Sequence, residues 1–218
     1  MGEGRPVVIA VDGPAASGKG TLARRLARHF GYAHLDTGAL YRAVGLALIR
    51  AGKDPDDAEA AVAAARALDY RLLDDPGLRD EATADAATRV AAIPGVRAAL
   101  LDFQREFTRM PPGGAPGAVL DGRDIGTVIC PDAAYKIFID ADVNVRADRR
   151  VKELRDRGIE AIHARVLRDM RERDARDRGR SVAPLVPADD AFVLDSSALD
   201  ADAAFSAALT FIASRSKD

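Results

Sequence analysis

An apolar, β-branched run, Val7-Val8-Ile9-Ala10-Val11, leads almost directly into Gly13-Pro14-Ala15-Ala16-Ser17-Gly18-Lys19-Gly20-Thr21, after which apolar residues recur at helical spacing from Leu22 to Phe30. Few arrangements restrict a chain more. The run reads as a strand buried on both faces, as in parallel sheets. The loop has the Gly, four residues, Gly-Lys spacing of a phosphate-binding loop in its required strand-to-helix context. Small residues let successive backbone N–H groups turn toward an anion, the helix N-terminus adds partial positive charge, and Lys19 can reach the outer phosphates. Gly13 through Thr21 are therefore the expected contacts of a donor nucleotide.

One position departs from the strict pattern. Gly20 stands where Ser or Thr is usual, and the hydroxyl comes one residue later at Thr21, a variant common in small-molecule kinases. A bound nucleotide implies Mg²⁺ bridging its phosphate oxygens. Thr21 is the expected ligand. Asp36 and Asp121 end predicted strands, where α/β sheets place ligands, and could hold the metal through water.

Beyond the first helix, predicted strands alternate with helices. Strands are expected at Tyr32 to Leu35, Ala118 to Asp121, Ala134 to Asp140 and Phe192 to Asp195, with a further candidate at Tyr70 to Leu73. Helices are expected at Ala39 to Ala51, Asp56 to Leu68, Ala82 to Ala92, Val96 to Phe107, Val143 to Arg157, Ala161 to about Arg173, and Ala201 to Ile212. The class is α/β with a mainly parallel sheet and helices on both faces.

Five motifs in order then resemble the bacterial cytidylate kinases. They are the Gly-Lys-Gly-Thr loop, Leu35-Asp36-Thr37-Gly38 with Tyr41-Arg42, Asp121-Gly122-Arg123-Asp124-Ile125-Gly126-Thr127, Lys136 to Ala141, and Glu172-Arg173-Asp174 with Asp177-Arg178 and Arg180. The resemblance runs from about residue 7 to the last helix. It implies a single P-loop kinase domain over residues 1–218, with an acceptor-binding insertion at 54–117 and a lid at about 158–187. It also implies phosphoryl transfer from ATP to CMP or dCMP, with Thr37, Arg42, Thr88, Arg97, Arg123, Asp124, Arg173, Asp177 and Arg180 lining the acceptor pocket.

By the same resemblance Asp124 and Arg97 read the base edge, which suits cytosine chemically. Its exocyclic amine donates to a carboxylate, and N3 and O2 accept from a guanidinium. Uracil reverses the first of these. Lys19, Arg123, Arg176 and Arg180 are the expected catalytic cations. The insertion is short for this family, so its small antiparallel sheet is expected to be trimmed or missing.

The charge balance supports the lid. Lys plus Arg number 32 and Asp plus Glu 34, a net charge of −2, which argues against a general polyanion binder. Yet residues 146–180 hold 13 basic and 8 acidic side chains, whereas 54–85 hold 3 and 10. A segment that closes over two phosphate groups needs such a basic excess, and guanidinium forks match phosphate oxygens in pairs. The acidic segment has no ligand assigned to it.

Other classes are restricted by what the chain lacks. Cys130 is the lone cysteine, so no internal disulfide framework is possible. Met1-Gly2-Glu3-Gly4-Arg5-Pro6 does not read as a secretory leader, and the clearest apolar stretch, Ala43 to Ile49, is far short of a membrane span. A cytoplasmic monomer with no stable nucleic-acid partner is expected. The competing readings are a P-loop kinase for another nucleoside monophosphate or small metabolite, and a nucleotide- or RNA-binding regulatory protein using the arginine cluster on a phosphate backbone.

Overall fold

The computed structural model describes residues 5–215; Met1 to Gly4, part of the stretch read as lacking a leader, lie outside them. The chain divides into two compact units, one of residues up to His34 together with Pro111 onward, the other Leu35–Met110.

The first unit carries the sheet. Its strands are β1 (Val7–Asp12), β2 (Ala33–Asp36), β3 (Gly117–Gly122), β4 (Tyr135–Asp140) and β5 (Phe192–Asp195), in the order β2-β3-β1-β4-β5; the division between units falls within β2. β1 pairs in parallel with both β3 and β4, and β4 with β5. A central parallel strand is covered on both faces, which is why β1 and β3 read as continuous apolar runs rather than alternating ones.

Helices α1 (Lys19–Phe30) and α8 (Ala201–Arg215) share one core with the sheet. Leu22, Ala23, Leu26 and Ala27 of α1 are buried against Ile9, Val11 and Val119, while Ala204, Ala208 and Ile212 supply the contribution of α8. Each large aliphatic side chain so buried contributes about 1.5–3 kcal/mol. Helices α6 (Val143–Asp156) and α7 (His163–Arg178) form a separate cluster through Ala147, Val151, Leu154, Val166 and Met170. α7 runs about a turn beyond its predicted end, because Asp174 and Asp177 continue its buried face as ion-paired carboxylates. Apolar periodicity cannot register that continuation.

The second unit is helical: α2 (Thr37–Arg50), α3 (Ala58–Arg66), α4 (Glu81–Val90) and α5 (Pro94–Arg109), with 3-10 turns at Tyr70–Asp74 and Pro76–Arg79. The strand expected at Tyr70 to Leu73 is one of these turns. Asp69 caps it by accepting the amide of Arg71 at 3.0 Å, Asp75 caps the next through Gly77 at 2.9 Å, and Tyr70 stacks on Phe103. No strand lies between Thr37 and Arg109.

These caps also account for much of the acidic segment. Asp57 caps α3 through Ala60, and Asp54 and Asp56 both grip Arg89 of α4. Short polar side chains at helix starts satisfy amides that have no partner within the helix. Gly45 lets α2 and α4 approach closely, since a Cβ there would stand 2.9 Å from Ala86 Cβ.

Candidate functional site

The phosphate loop leaves the sheet at the carboxyl end of β1 and enters α1 at Lys19. Gly13 is required by its surroundings: a Cβ would lie 2.1 Å from the carbonyl oxygen of Ile139. Ala16 and Gly18 both take left-handed backbone, at φ 58° and 95°. For Ala16 this is an uncommon conformation that its neighbours must hold.

They do so through the loop carbonyls. Arg146 Nη1 donates to the Ala15 carbonyl at 3.3 Å, Ser196 Oγ donates to the Ser17 carbonyl at 2.9 Å, and Ser17 Oγ closes the turn onto Pro14 at 3.1 Å. With these acceptors engaged by protein donors, the loop is biased toward presenting its N–H groups to an anion.

Beside the loop is a cavity of about 190 Å³ whose walls include Thr21, Leu22, Arg149, Ser196, Leu199 and Ala201. Arg149 shapes its rim by donating to the Ser196 carbonyl at 2.6 Å and to Ser196 Oγ at 3.1 Å. Of these residues the sequence reading names Thr21 alone as a contact; for Ser196, Leu199 and Ala201 the available signal is their position just after β5, at the carboxyl edge where α/β sheets bind ligands, whereas nothing local singles out Arg149 on α6.

β3 brings the Asp121-Gly122-Arg123-Asp124 motif to the same edge. Val11 is in register with Asp121 and Asp12 with Gly122, so the phosphate loop and the Arg123-Asp124 turn leave neighbouring strands side by side, about 4.8 Å apart. The Asp121 carboxylate is fixed by His34 Nε2 at 2.8 Å from Oδ1, and its Oδ2 lies 3.6 Å from where a Gly20 Cβ would be. Asp36, the other acid proposed for a metal, caps α2 by accepting the Ala39 amide at 3.3 Å. Thr21 is exposed at the start of α1.

Asp177 is the electrostatic centre of the α7 end. It is 1% exposed, accepts from Arg123 Nε at 2.9 Å, and also pairs with Arg180. Burial pushes its carboxyl upward, but the Arg123, Arg180 and Arg173 guanidiniums outweigh that and hold it below the ordinary carboxylate range. The structure thus brings together Arg123, Asp177 and Arg180. Asp124, 4% exposed, sits between Arg123 and a short π-helical turn, Ile125–Ile129. Arg176 is exposed on α7.

In the helical unit, Thr37 is buried at the first position of α2, and Arg42 lies half-buried further along it. Thr88 is buried on α4, where its hydroxyl donates to the Ala84 carbonyl at 3.1 Å. Arg97 is 9% exposed on α5, donating to the Ala91 carbonyl at 3.3 Å and lying 5.5 Å from the centre of the Tyr41 ring.

Residues 9–214 match the family model described as cytidylate kinase. The chain is 62% identical over 208 residues to the cytidylate kinase of Paramagnetospirillum magneticum, covering 95% of this chain and 98% of that one. It is 61% identical to the cytidylate kinase of Rhodospirillum rubrum, over 97% and 99% of the two chains. Among solved structures, an uncharacterised protein from Eubacterium ventriosum superposes with a TM-score of 0.57 at 15% identity, over 95% of this chain and 99% of that one, a likeness of fold.

Proposed function

Because the chain belongs to the cytidylate kinase family, we propose that it transfers the γ-phosphoryl group of ATP to CMP or dCMP, giving ADP and CDP or dCDP. The observation that carries the reading is the shared register of β1 and β3, which sets the phosphate loop and the Arg123-Asp124 turn side by side on one sheet edge.

Gly13 through Thr21 bind the ATP phosphates, and the cavity beside Leu22, Arg149 and Leu199 takes its base. The acceptor contacts are those that the family motifs mark: Thr37, Arg42, Thr88, Arg97, Arg123, Asp124, Arg173, Asp177 and Arg180. Asp124 and Arg97 meet the base edge, Arg42, Arg123 and Arg180 the phosphate, and Asp177 with Arg173 the ribose. Residues 54–117 act as the acceptor insertion and about 158–187 as the lid.

The donor set suits Mg²⁺. Hard oxygens of Thr21 and Asp121 stand at the phosphate loop, with Asp36 a further acid of the right kind, and among the described residues there is no cluster of three or more His, Cys, Asp or Glu side chains able to cage a metal. That sparseness fits an ion held chiefly by phosphates and water. When bound, the ion neutralises charge on the transferring oxygens.

The protein's own residues do the rest. The attacking oxygen belongs to a phosphate whose second pKa is about 6, so it is already dianionic near neutral pH and no general base is needed. Lys19, Arg123, Arg176 and Arg180 hold donor and acceptor in line and stabilise the equatorial oxygens. Lid closure excludes water, the competing acceptor. No helix among the described residues is long and apolar enough to cross a membrane. A cytoplasmic monomer is part of the same proposal, supported by the lone cysteine, which suits a reducing compartment.

The test is ADP release from ATP and Mg²⁺ with CMP, dCMP, UMP, AMP, GMP and shikimate as acceptors. Fastest turnover with CMP or dCMP is expected. Stimulation by none of them, beside RNA binding that weakens steeply with salt, overturns the assignment.

A further inference from the structure

Asp12 belongs to neither group of contacts assigned above, yet it joins them. It is the last residue of β1, immediately before Gly13, and is 5% exposed. Its two carboxylate oxygens accept from successive amides on the neighbouring motif, Ile125 N–H on Oδ1 and Gly126 N–H on Oδ2, each at 2.8 Å. These amides open the Ile125–Ile129 turn and directly follow Arg123 and Asp124.

We propose that Asp12 is a positioning residue that sets the base selectivity of the acceptor site by fixing the backbone on which Asp124 is carried. The inference rests on the reading of Asp124 as a contact of the cytosine edge. A carboxylate is the side chain suited to this task, because it alone offers two acceptors to two adjacent N–H groups; an amide would turn its own NH₂ against one of them. Gly126 fits the same design. A Cβ there would meet the Lys136 stem at 3.2 Å from Cδ and 3.3 Å from Cγ, and Asp12 Oδ2 at an ordinary 3.5 Å, so the bare position lets the turn pack between Lys136 and the carboxylate.

The arrangement is costly, which argues against simple structural filler. Burial, opposed by the two amide bonds, leaves the Asp12 carboxyl raised to about 7, with Asp124 adding repulsion and Arg123 attraction. A turn that needed only to exist would be better capped by a neutral or exposed group. A turn that must hold one carboxylate at hydrogen-bonding tolerance to a base edge gains from two short, charge-assisted bonds made by the most central strand of the sheet.

The experiment measures kcat/KM for CMP and UMP, and KM for ATP, in the full-length wild-type enzyme and in Asp12→Asn, Gly126→Ala and Asp124→Asn. Asp12→Asn is expected to lower the CMP-to-UMP ratio at least ~10-fold while KM for ATP changes less than ~2-fold, since mispositioned polar groups lose discrimination before they lose binding in general. Gly126→Ala, whose methyl crowds the Lys136 stem and so shifts the turn that Asp12 holds, is expected to lower the ratio likewise, and it supplies the reading if Asp12→Asn does not fold. A uniform loss with both acceptors, or an equal rise in KM for ATP, overturns the proposal. Asp124→Asn separates the two failures. If it leaves the ratio intact, the base-edge reading falls and this inference with it; if it collapses the ratio while the other two variants do not, the role of Asp12 alone is refuted.

Discussion

Arg146 grips Asp174 with both terminal nitrogens, Nη1 to Oδ1 at 3.2 Å and Nη2 to Oδ2 at 2.5 Å, and the two side chains are 3% and 8% exposed. The same guanidinium donates to the Ala141 carbonyl at 2.8 Å and to Ala15 in the phosphate loop. One side chain therefore ties α6, α7 and the loop together. Truncating either partner strands a buried charge, so Asp174→Ala is expected to destabilise the protein by about 3–5 kcal/mol, whereas Arg146→Met with Asp174→Leu recovers much of that loss. Urea unfolding of both variants beside the wild type checks both statements.

Lys19→Ala and Arg180→Ala should each leave the fold intact and lower kcat about 10²- to 10³-fold, the scale of losing one preorganised charge at a reacting group. Circular dichroism with steady-state kinetics distinguishes this from unfolding. Normal turnover in either folded variant sinks the catalytic assignment.

Gly13→Ala has no room to be accommodated. The clash at 2.1 Å is with backbone of β4, not with a side chain that can swing away. Loss of ATP binding in isothermal titration is expected, together with a lowered melting temperature.

The raised carboxyl of Asp12 has a definite consequence for pH dependence. The unfolded chain releases this proton near 3.8 and the folded protein near 7. Between those values the native state binds more protons, so this group's contribution to stability declines as pH rises and levels off above 7. Between pH 5 and pH 7 the decline is about 2–3 kcal/mol. The stability of Asp12→Asn relative to wild type should therefore improve from pH 5 to pH 8 in urea titrations; an unchanged difference contradicts the shift.

Chelation of Mg²⁺ is expected to abolish turnover while sparing CMP binding measured by calorimetry, because the acceptor contacts proposed above are side chains of the protein itself. Equal loss of both would assign the ion a structural part.

The sequence made the donor end legible because its signals are local. Strand, glycine-rich loop and helix lie within about twenty-five consecutive residues, and α1 falls at Lys19–Phe30 as its periodicity predicts. Residues whose roles depend on distant partners were harder. Asp12 looked like the end of a strand, yet its partners lie 113 and 114 residues away. The motif marks Asp174 and Asp177, and the resemblance puts Asp177 in the acceptor pocket, yet no local signal tells that both are buried, because pairing with the distant Arg146 and Arg123 is what allows it. Tyr70 to Leu73 was read as a strand from local composition, but side-chain caps from Asp69 and Asp75 determined its form.

The strand order carries a kinetic implication. β1 leaves the ribosome before both of its partners, for Val7 finds its register partner at Gly117 and Ile9 its other neighbour at Tyr135. At about 5–20 residues per second, roughly 5–20 s of synthesis separate β1 from the strands that flank it. β1 therefore begins as an unpaired apolar strand, and the phosphate loop that follows it is made well before the flanking strands that hold it in place.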